Sequence, residues 1–269
     1  MQTYMLDKIR NSFAWLFITL RLFKNWPEIY RHRFFGNRNA RQRLFMREGV
    51  VFEVAKKETA IPIIEEIWHQ KVYGTLEDIA ALPSPTVVDI GANIGSFSLF
   101  ALARIPSGRV FAFEPEPKNF ATLDANIRLN KMGDRCTVVN KGISGREETR
   151  TLYVTDVQSG TNSLFNQGKH VATAEIECIT LADIFKQFRI ERCDFLKIDC
   201  EGAEYEILMH TPAPLFRRIR KIVMEWHTVA GHTVDELESY LSSVGYTVQL
   251  NVPVSRVLTA TYTEDSKPS

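Results

Sequence analysis

Cysteine is scarce, with four in 269 residues. None of the four (Cys136, Cys178, Cys193, Cys200) forms a C-x-x-C pair, so the pattern supports neither a zinc site nor a disulfide framework. A reducing cytosol is the expected compartment. Long apolar runs are also missing. The strongest, Phe13 to Leu20, ends at Arg21, far short of the roughly 20 residues a spanning helix needs. No small-residue cleavage site follows it, which argues against a secretory signal. There is no internal repeat, no low-complexity tract and little net charge, +1 overall. Solenoid and disordered classes are therefore excluded.

That small net charge hides an asymmetry. Residues 1–47 hold ten Lys and Arg against Asp7 and Glu28, a net +8, which leaves −7 for the rest. This basic segment interleaves Phe13, Trp15, Leu16, Phe17, Leu20 and Phe23 with Lys8, Arg10, Arg21 and Lys24; Arg31, Arg33, Arg38, Arg41, Arg43 and Arg47 follow. The spacing 13, 16, 17, 20 predicts a one-faced helix. Such a face suits either packing on a core or contact with an anionic membrane surface.

What is abundant is alternation. Apolar strand-like runs at Thr86–Ile90, Arg109–Phe113, Cys136–Val139, Asp194–Ile198, Lys221–Met224 and Tyr246–Leu250 alternate with helical patterns. Alternation of this kind predicts βαβ units, a mostly parallel sheet and helices on both faces. Gly49–Val54 reads as a short strand and Ile61–Tyr73 as one amphipathic helix. A capping box is expected at Thr233–Glu236, ahead of a helix that Gly245 closes. Residues 145–180, with Thr149–Val154, a polar stretch at 158–163 and Glu175–Ile179, read as an inserted hairpin or lid. The expected organisation is a basic amphipathic helical segment at 1–47, a strand and helix at 48–84, an α/β domain at 85–262 and a flexible tail at 263–269.

Val87-Val-Asp-Ile-Gly-Ala-Asn-Ile-Gly-Ser-Phe-Ser98 is a strand running through a glycine turn into a helix. Gly91 and Gly95 meet the needs of a tight turn and a close approach to ligand, with Asn93 between them. Asp89 decides which ligand. An acid at this strand end repels the pyrophosphate of a dinucleotide, whereas S-adenosylmethionine has no phosphate and carries an ammonium and a sulfonium. Glu114, closing the next strand, offers two acceptor oxygens to ribose hydroxyls. The plainer alternative is that Asp89 caps the turn and Glu114 only precedes Pro115.

After the fourth strand stands Leu196-Lys-Ile-Asp199-Cys-Glu201-Gly-Ala-Glu204. Together with Val88-Asp-Ile-Gly-Ala-Asn-Ile-Gly95 and Phe113-Glu-Pro-Glu-Pro117, this string resembles the FkbM family of methyltransferases from about residue 85 to about 250. The resemblance implies a doubly wound seven-stranded sheet with S-adenosylmethionine at Asp89, Gly91, Gly95 and Glu114. It also implies O-methylation of sugars, glycans or secondary metabolites.

Methyl transfer needs alignment, worth ~7–11 kcal/mol, and a base for a neutral hydroxyl, worth about 10²–10⁴-fold. Candidate bases are Asp199, Glu201 and His227. Asp199 serves equally as a partner of the cofactor amine, and His227 as an ordinary polar residue at the sheet edge. Glu204 and Glu206 suit a helix start, and Lys197 calls for a carboxylate partner. Asp199 and Glu225 would suit magnesium, but no tight D-x-D-type cluster supports a metal, so none is expected. No nucleic-acid partner is expected either, because the fourth-strand string lacks the signatures of base methylation. Ribose methylation of RNA and a non-catalytic tethered domain are the remaining alternatives.

Overall fold

The computed structural model describes residues 15–35, 41–55, 57–154, 172–251 and 256–263. Seven strands form the main sheet: β1 Thr86–Ile90, β2 Arg109–Phe113, β3 Cys136–Val139, β4 Phe195–Ile198, β5 Lys221–Glu225, β6 Tyr246–Leu250 and β7 Val257–Tyr262. Their order is β6-β7-β5-β4-β1-β2-β3. All pairings are parallel except those of β7, which runs antiparallel to both β5 and β6. The chain winds from β1 towards β3 and then returns to the other side of β1 with β4. That reversal makes a topological switch point between β1 and β4, where open α/β sheets bind ligands.

Apolar residues on alternate positions feed two cores. Val87 and Phe195 join Phe97 and Phe100 of helix α1 (Ser96–Arg104) on one face. Val88, Ile90, Leu196 and Ile198 join the helices of the other face. These are α3 (Leu181–Gln187), α4 (Glu204–Met209) and α5 (Val234–Ser243). Helix α2 (Pro117–Leu129) packs on the first face, with Leu123 and Ile127 in its core.

Several local expectations are corrected. The single helix expected at 61–73 is an α-helix, Lys57–Glu65, followed by a π-helical turn, Glu66–Gln70, which stops at Lys71 with φ +55°. Pro62 stands inside the α-helical part, where it supplies no N–H. At α5 the Thr233 side chain accepts from Glu236 N–H at 3.3 Å, but the Glu236 carboxylate pairs with His232 rather than reaching back. A complete capping box stands at Thr180 and Asp183 instead.

The predicted insertion forms a hairpin of Glu148–Val154 on Ala172–Ile179, joined by Gly142–Ile143. Its polar stretch at 158–163 lies outside the described residues. A second hairpin, Gln42–Phe45 on Val51–Val54, docks on α2: Val51 N–H donates to Asn130 Oδ1 and Glu53 N–H to Asn126 Oδ1. Residues 15–22 are helical and turn Trp15, Thr19 and Leu22 inward, while Phe17 and Leu20 face outward. Phe13 and Arg38 lie outside the described residues.

Candidate active site

Register brings the candidate residues to one edge. Ile90, Phe113 and Ile198 are ladder partners across three parallel strands, and Met224 pairs with Ile198. Whatever follows these four strand ends must converge. They are followed by Gly91, Glu114, Asp199 and the run from Glu225 to His227.

The glycine turn is the tightest element. Gly91 has φ +74°, and a Cβ there would lie 1.8 Å from the Asp199 carbonyl oxygen. Only glycine lets the β1 and β4 exits come so close. Gly95, at φ +88°, precedes α1, and a Cβ there would meet Leu123 of α2 at 2.7 Å. Its role is helix packing, and it lines neither cavity described below. Asn93 takes φ +52° without being glycine. Its N–H donates to Glu114 Oε2 at 2.8 Å, while Glu116 N–H donates to Oε1 at 2.9 Å. Glu114 is therefore gripped by the turn it faces. Burial pushes its carboxyl up to about 7 against those two hydrogen bonds.

Asp89 is fully enclosed and lines neither cavity described below. Ser98 Oγ donates to it at 2.6 Å, and Lys197 Nζ lies 3.2 Å from its other oxygen. Lys197 also donates to the Gly91 carbonyl at 2.7 Å and stands 3.6 Å from Asp199. Burial alone would discharge this lysine, but Asp89 and Asp199 hold its proton more tightly than normal. Asp89 is thus linked through Lys197 to the Gly91 carbonyl, at the turn where the sequence expects the ligand.

Two cavities open at this edge. One, about 590 Å³, is lined by Asn93, Phe113, Glu114, Asn119, Gly142 and Leu152 among others, so the inserted hairpin forms part of its wall. The second, about 710 Å³, is lined by Glu66, Tyr73, Ser96, Phe97, Lys197 and Glu225 among others. Gly91, Asn93, Asp199 and Glu201 belong to both.

Asp199 accepts a hydrogen bond from Tyr73 Oη at 2.9 Å. Burial, then the nearby Asp199 charge, raises the Tyr73 hydroxyl well above its ordinary value and pushes Glu66 up as well. Glu201 is raised to about 7 by burial and by neighbouring carboxylates, with His227 opposing. Its backbone is held at φ +53°, a conformation that costs a non-glycine residue about 1–3 kcal/mol and gathers at functional sites.

His227 lines neither cavity, but its Nε2 lies 3.5 Å from Glu201 Oε2. Its Nδ1 is 2.9 Å from Glu204 Oε1, which also accepts from the N–H groups of Cys200 and Gly202. Burial works against a charged imidazole here, yet the Glu204 hydrogen bond and charge, helped by Glu201, carry it up to about 9. This hold favours the charged imidazole as long as no cation stands beside Glu201. Glu204 thus does more than start a helix, and Glu206 ties α4 to the hairpin through Arg150 at 2.7 Å. Sequence reasoning missed Tyr73, Glu66 and Ser96, which no local motif marks.

The FkbM methyltransferase domain model matches residues 89–248. Methyltransferase sdnD of Sordaria araneosa is 30% identical over 216 residues, covering 69% of this chain and 82% of that protein. The 31-O-demethyl-FK506 methyltransferase FkbM of Streptomyces tacrolimicus is 31% identical, covering 69% and 81%. The hexuronic acid methyltransferase AglP of Haloferax volcanii is 24% identical, covering 61% and 67%. With the doubly wound sheet, the glycine turn against Asp199 and the acid closing β2, this chain belongs to the FkbM family of S-adenosylmethionine-dependent methyltransferases.

Proposed function

We propose that the protein transfers the methyl group of S-adenosylmethionine to a hydroxyl oxygen of a sugar, glycan or secondary metabolite. The observation that carries this is the pair of cavities meeting on Gly91, Asn93, Asp199 and Glu201. An elongated cofactor would lie across both. Glu114 would hold its ribose hydroxyls in the first, and Glu66, Asp199 and Glu225 would hold its cationic methionine end in the second. The shared wall is where the sulfonium methyl and the acceptor oxygen come together.

The bond from the acceptor oxygen to the methyl carbon forms as the carbon–sulfur bond breaks, and the neutral thioether leaves. The acceptor proton goes to Glu201, which lines both cavities; Asp199 anchors Tyr73 and the cofactor end. Relatives named for O-demethyl-FK506 and, in Sinorhizobium fredii, for 2-O-methylation support a hydroxyl acceptor, and one named for hexuronic acid supports a sugar. A second cavity lined by four carboxylates and one lysine disfavours an RNA backbone, whose phosphates it would repel. The test is turnover of Glu201→Gln on a panel of hydroxylated sugars and metabolites, read as methyl incorporation by mass spectrometry. Turnover should fall by about 10²–10⁴-fold with S-adenosylhomocysteine affinity retained; full turnover would remove Glu201 from the proton's path.

The N-terminal segment also bears on location. Phe17, Leu20 and Phe45 are 62%, 43% and 40% exposed. They adjoin exposed Arg21, Lys24 and Arg47: Arg47 Nε donates to the Leu20 carbonyl and Lys24 N–H to the Phe45 carbonyl. No helix among the described residues is long and apolar enough to cross a membrane. An apolar tip ringed by cations fits the surface of an anionic leaflet, where each basic residue contributes about 1 kcal/mol. The cytoplasmic face of a membrane is the corresponding location.

A further inference from the structure

The geometry points to a divalent-cation site formed by Asp199 and Glu201, from the wall shared by the two cavities, and by His227 beside Glu201. One ligand atom from each lies within 4.8 Å of the others. Ligands on opposite sides of a cation stand about 4.0–4.4 Å apart at ordinary metal–nitrogen and metal–oxygen lengths, so small rotamer changes close the site. Two carboxylates with one imidazole suit manganese or a similar divalent ion better than a soft-metal site would. Glu225 Oε1, 3.9 Å from His227 Nε2, stands within reach as a further oxygen.

Two observations outside this trio support it. Glu204, fully enclosed, holds His227 Nδ1 at 2.9 Å. That is the outer-shell carboxylate which, at metal centres, fixes the imidazole tautomer and leaves the opposite nitrogen for the ion. Ser96 is 1% exposed and lines the cavity that contains Asp199 and Glu201, yet its Oγ has no hydrogen-bond partner among the described residues. A polar group buried without a partner is costly unless a ligand or its bound water completes it.

A cation here would polarise the acceptor hydroxyl and orient it towards the methyl group. Ligation through one oxygen of each carboxylate is compatible with proton acceptance by Glu201. The catalytic use rests on the O-methyl-transfer reading; the binding does not.

The experiment titrates Mn²⁺ into the full chain with S-adenosylhomocysteine present, following loss of the free-ion electron paramagnetic resonance signal and the imidazole nitrogen coupling of the bound ion. One Mn²⁺ per chain with nitrogen coupling is expected. His227→Gln should abolish the coupling, and Glu204→Gln should weaken affinity by roughly 10–100-fold. S-adenosylhomocysteine binding, measured on the same samples by calorimetry, reports separately on folding and on the cofactor site. Absence of Mn²⁺ binding, a bound ion without nitrogen coupling, or unchanged affinity in folded His227→Gln would overturn the site and leave the methyltransferase reading standing. If His227→Gln does not fold, the nitrogen coupling in the unmodified protein decides alone.

Discussion

Replacing Lys197 with methionine tests whether the glycine turn is held from beneath by one buried charge. Lys197 and Asp89 are 3% and 0% exposed and stand 3.2 Å apart. Methionine keeps most of the side-chain volume but leaves Asp89 with Ser98 as its one remaining hydrogen-bond partner among the described residues. Removing one member of a buried pair costs about 3–5 kcal/mol, because the other charge stays behind. The loss should appear as a lower urea midpoint with an unchanged slope, and as a fall in Tm of roughly 2–4 °C per kcal/mol. The double variant Asp89→Asn with Lys197→Met leaves no charge stranded at position 89, so it should be more stable than the single losses added together, with a coupling of about 0.5–3 kcal/mol. Cofactor affinity should still suffer in the double variant, since the Gly91 carbonyl loses its 2.7 Å donor in both. A loss under about 1 kcal/mol, or strict additivity of the two changes, would refute the idea that this pair sets the turn.

Glu114→Gln should weaken S-adenosylhomocysteine binding at least about tenfold, the cost of one or more charge-assisted hydrogen bonds. Because burial raises Glu114 to about 7, the acceptor form is lost as pH falls through that value. Affinity should therefore drop by about tenfold from pH 8 to pH 6, a trend that Glu114→Gln should flatten; equal slopes in both proteins would place the titration elsewhere. Changing Phe17 and Leu20 together to glutamate should abolish salt-sensitive co-sedimentation with anionic liposomes without altering Tm, since both side chains face outward. Undiminished co-sedimentation would assign this face another role.

The sheet was readable because its inner strands are buried on both faces and so appear as unbroken apolar runs. Val87 to Ile90 and Phe195 to Ile198 show this, with Asp89 and Lys197, paired with each other, the exceptions. The strand β7 escaped because Thr259 and Thr261 interrupt its pattern, and because it enters antiparallel between β5 and β6 through pairings that no local spacing announces. Site residues divide in the same way. Gly91, Glu114 and Asp199 sit at strand ends, where position along the chain already fixes position at the edge. Tyr73 reaches Asp199 across 126 residues. Glu204 looked like a helix-start acid because acids favour that place; its hold on His227 depends on how α4 packs beside β5, which the sequence does not display.

The acid that discriminates between cofactors acts here together with its neighbours. A negative charge at the β1 exit favours a sulfonium and an ammonium over a pyrophosphate, and Asp89 was the visible acid. In the folded protein that charge is engaged by Lys197 and Ser98 and lines neither of the two cavities. The second cavity nevertheless is acidic, through Glu66, Asp199, Glu201 and Glu225 from separate segments, with Lys197 the one cation among its described lining residues. Since Lys197 is already shared between Asp89 and Asp199, the cavity retains an excess of carboxylate. Burial and mutual repulsion raise Glu66, Glu201 and Glu225 together, the response of acids crowded without enough positive charge. A cationic cofactor end supplies what is missing, and a phosphate would aggravate it. Selection against dinucleotides is thus a property of the assembled edge, with Asp89 serving to keep Lys197 charged and the Gly91 turn in place.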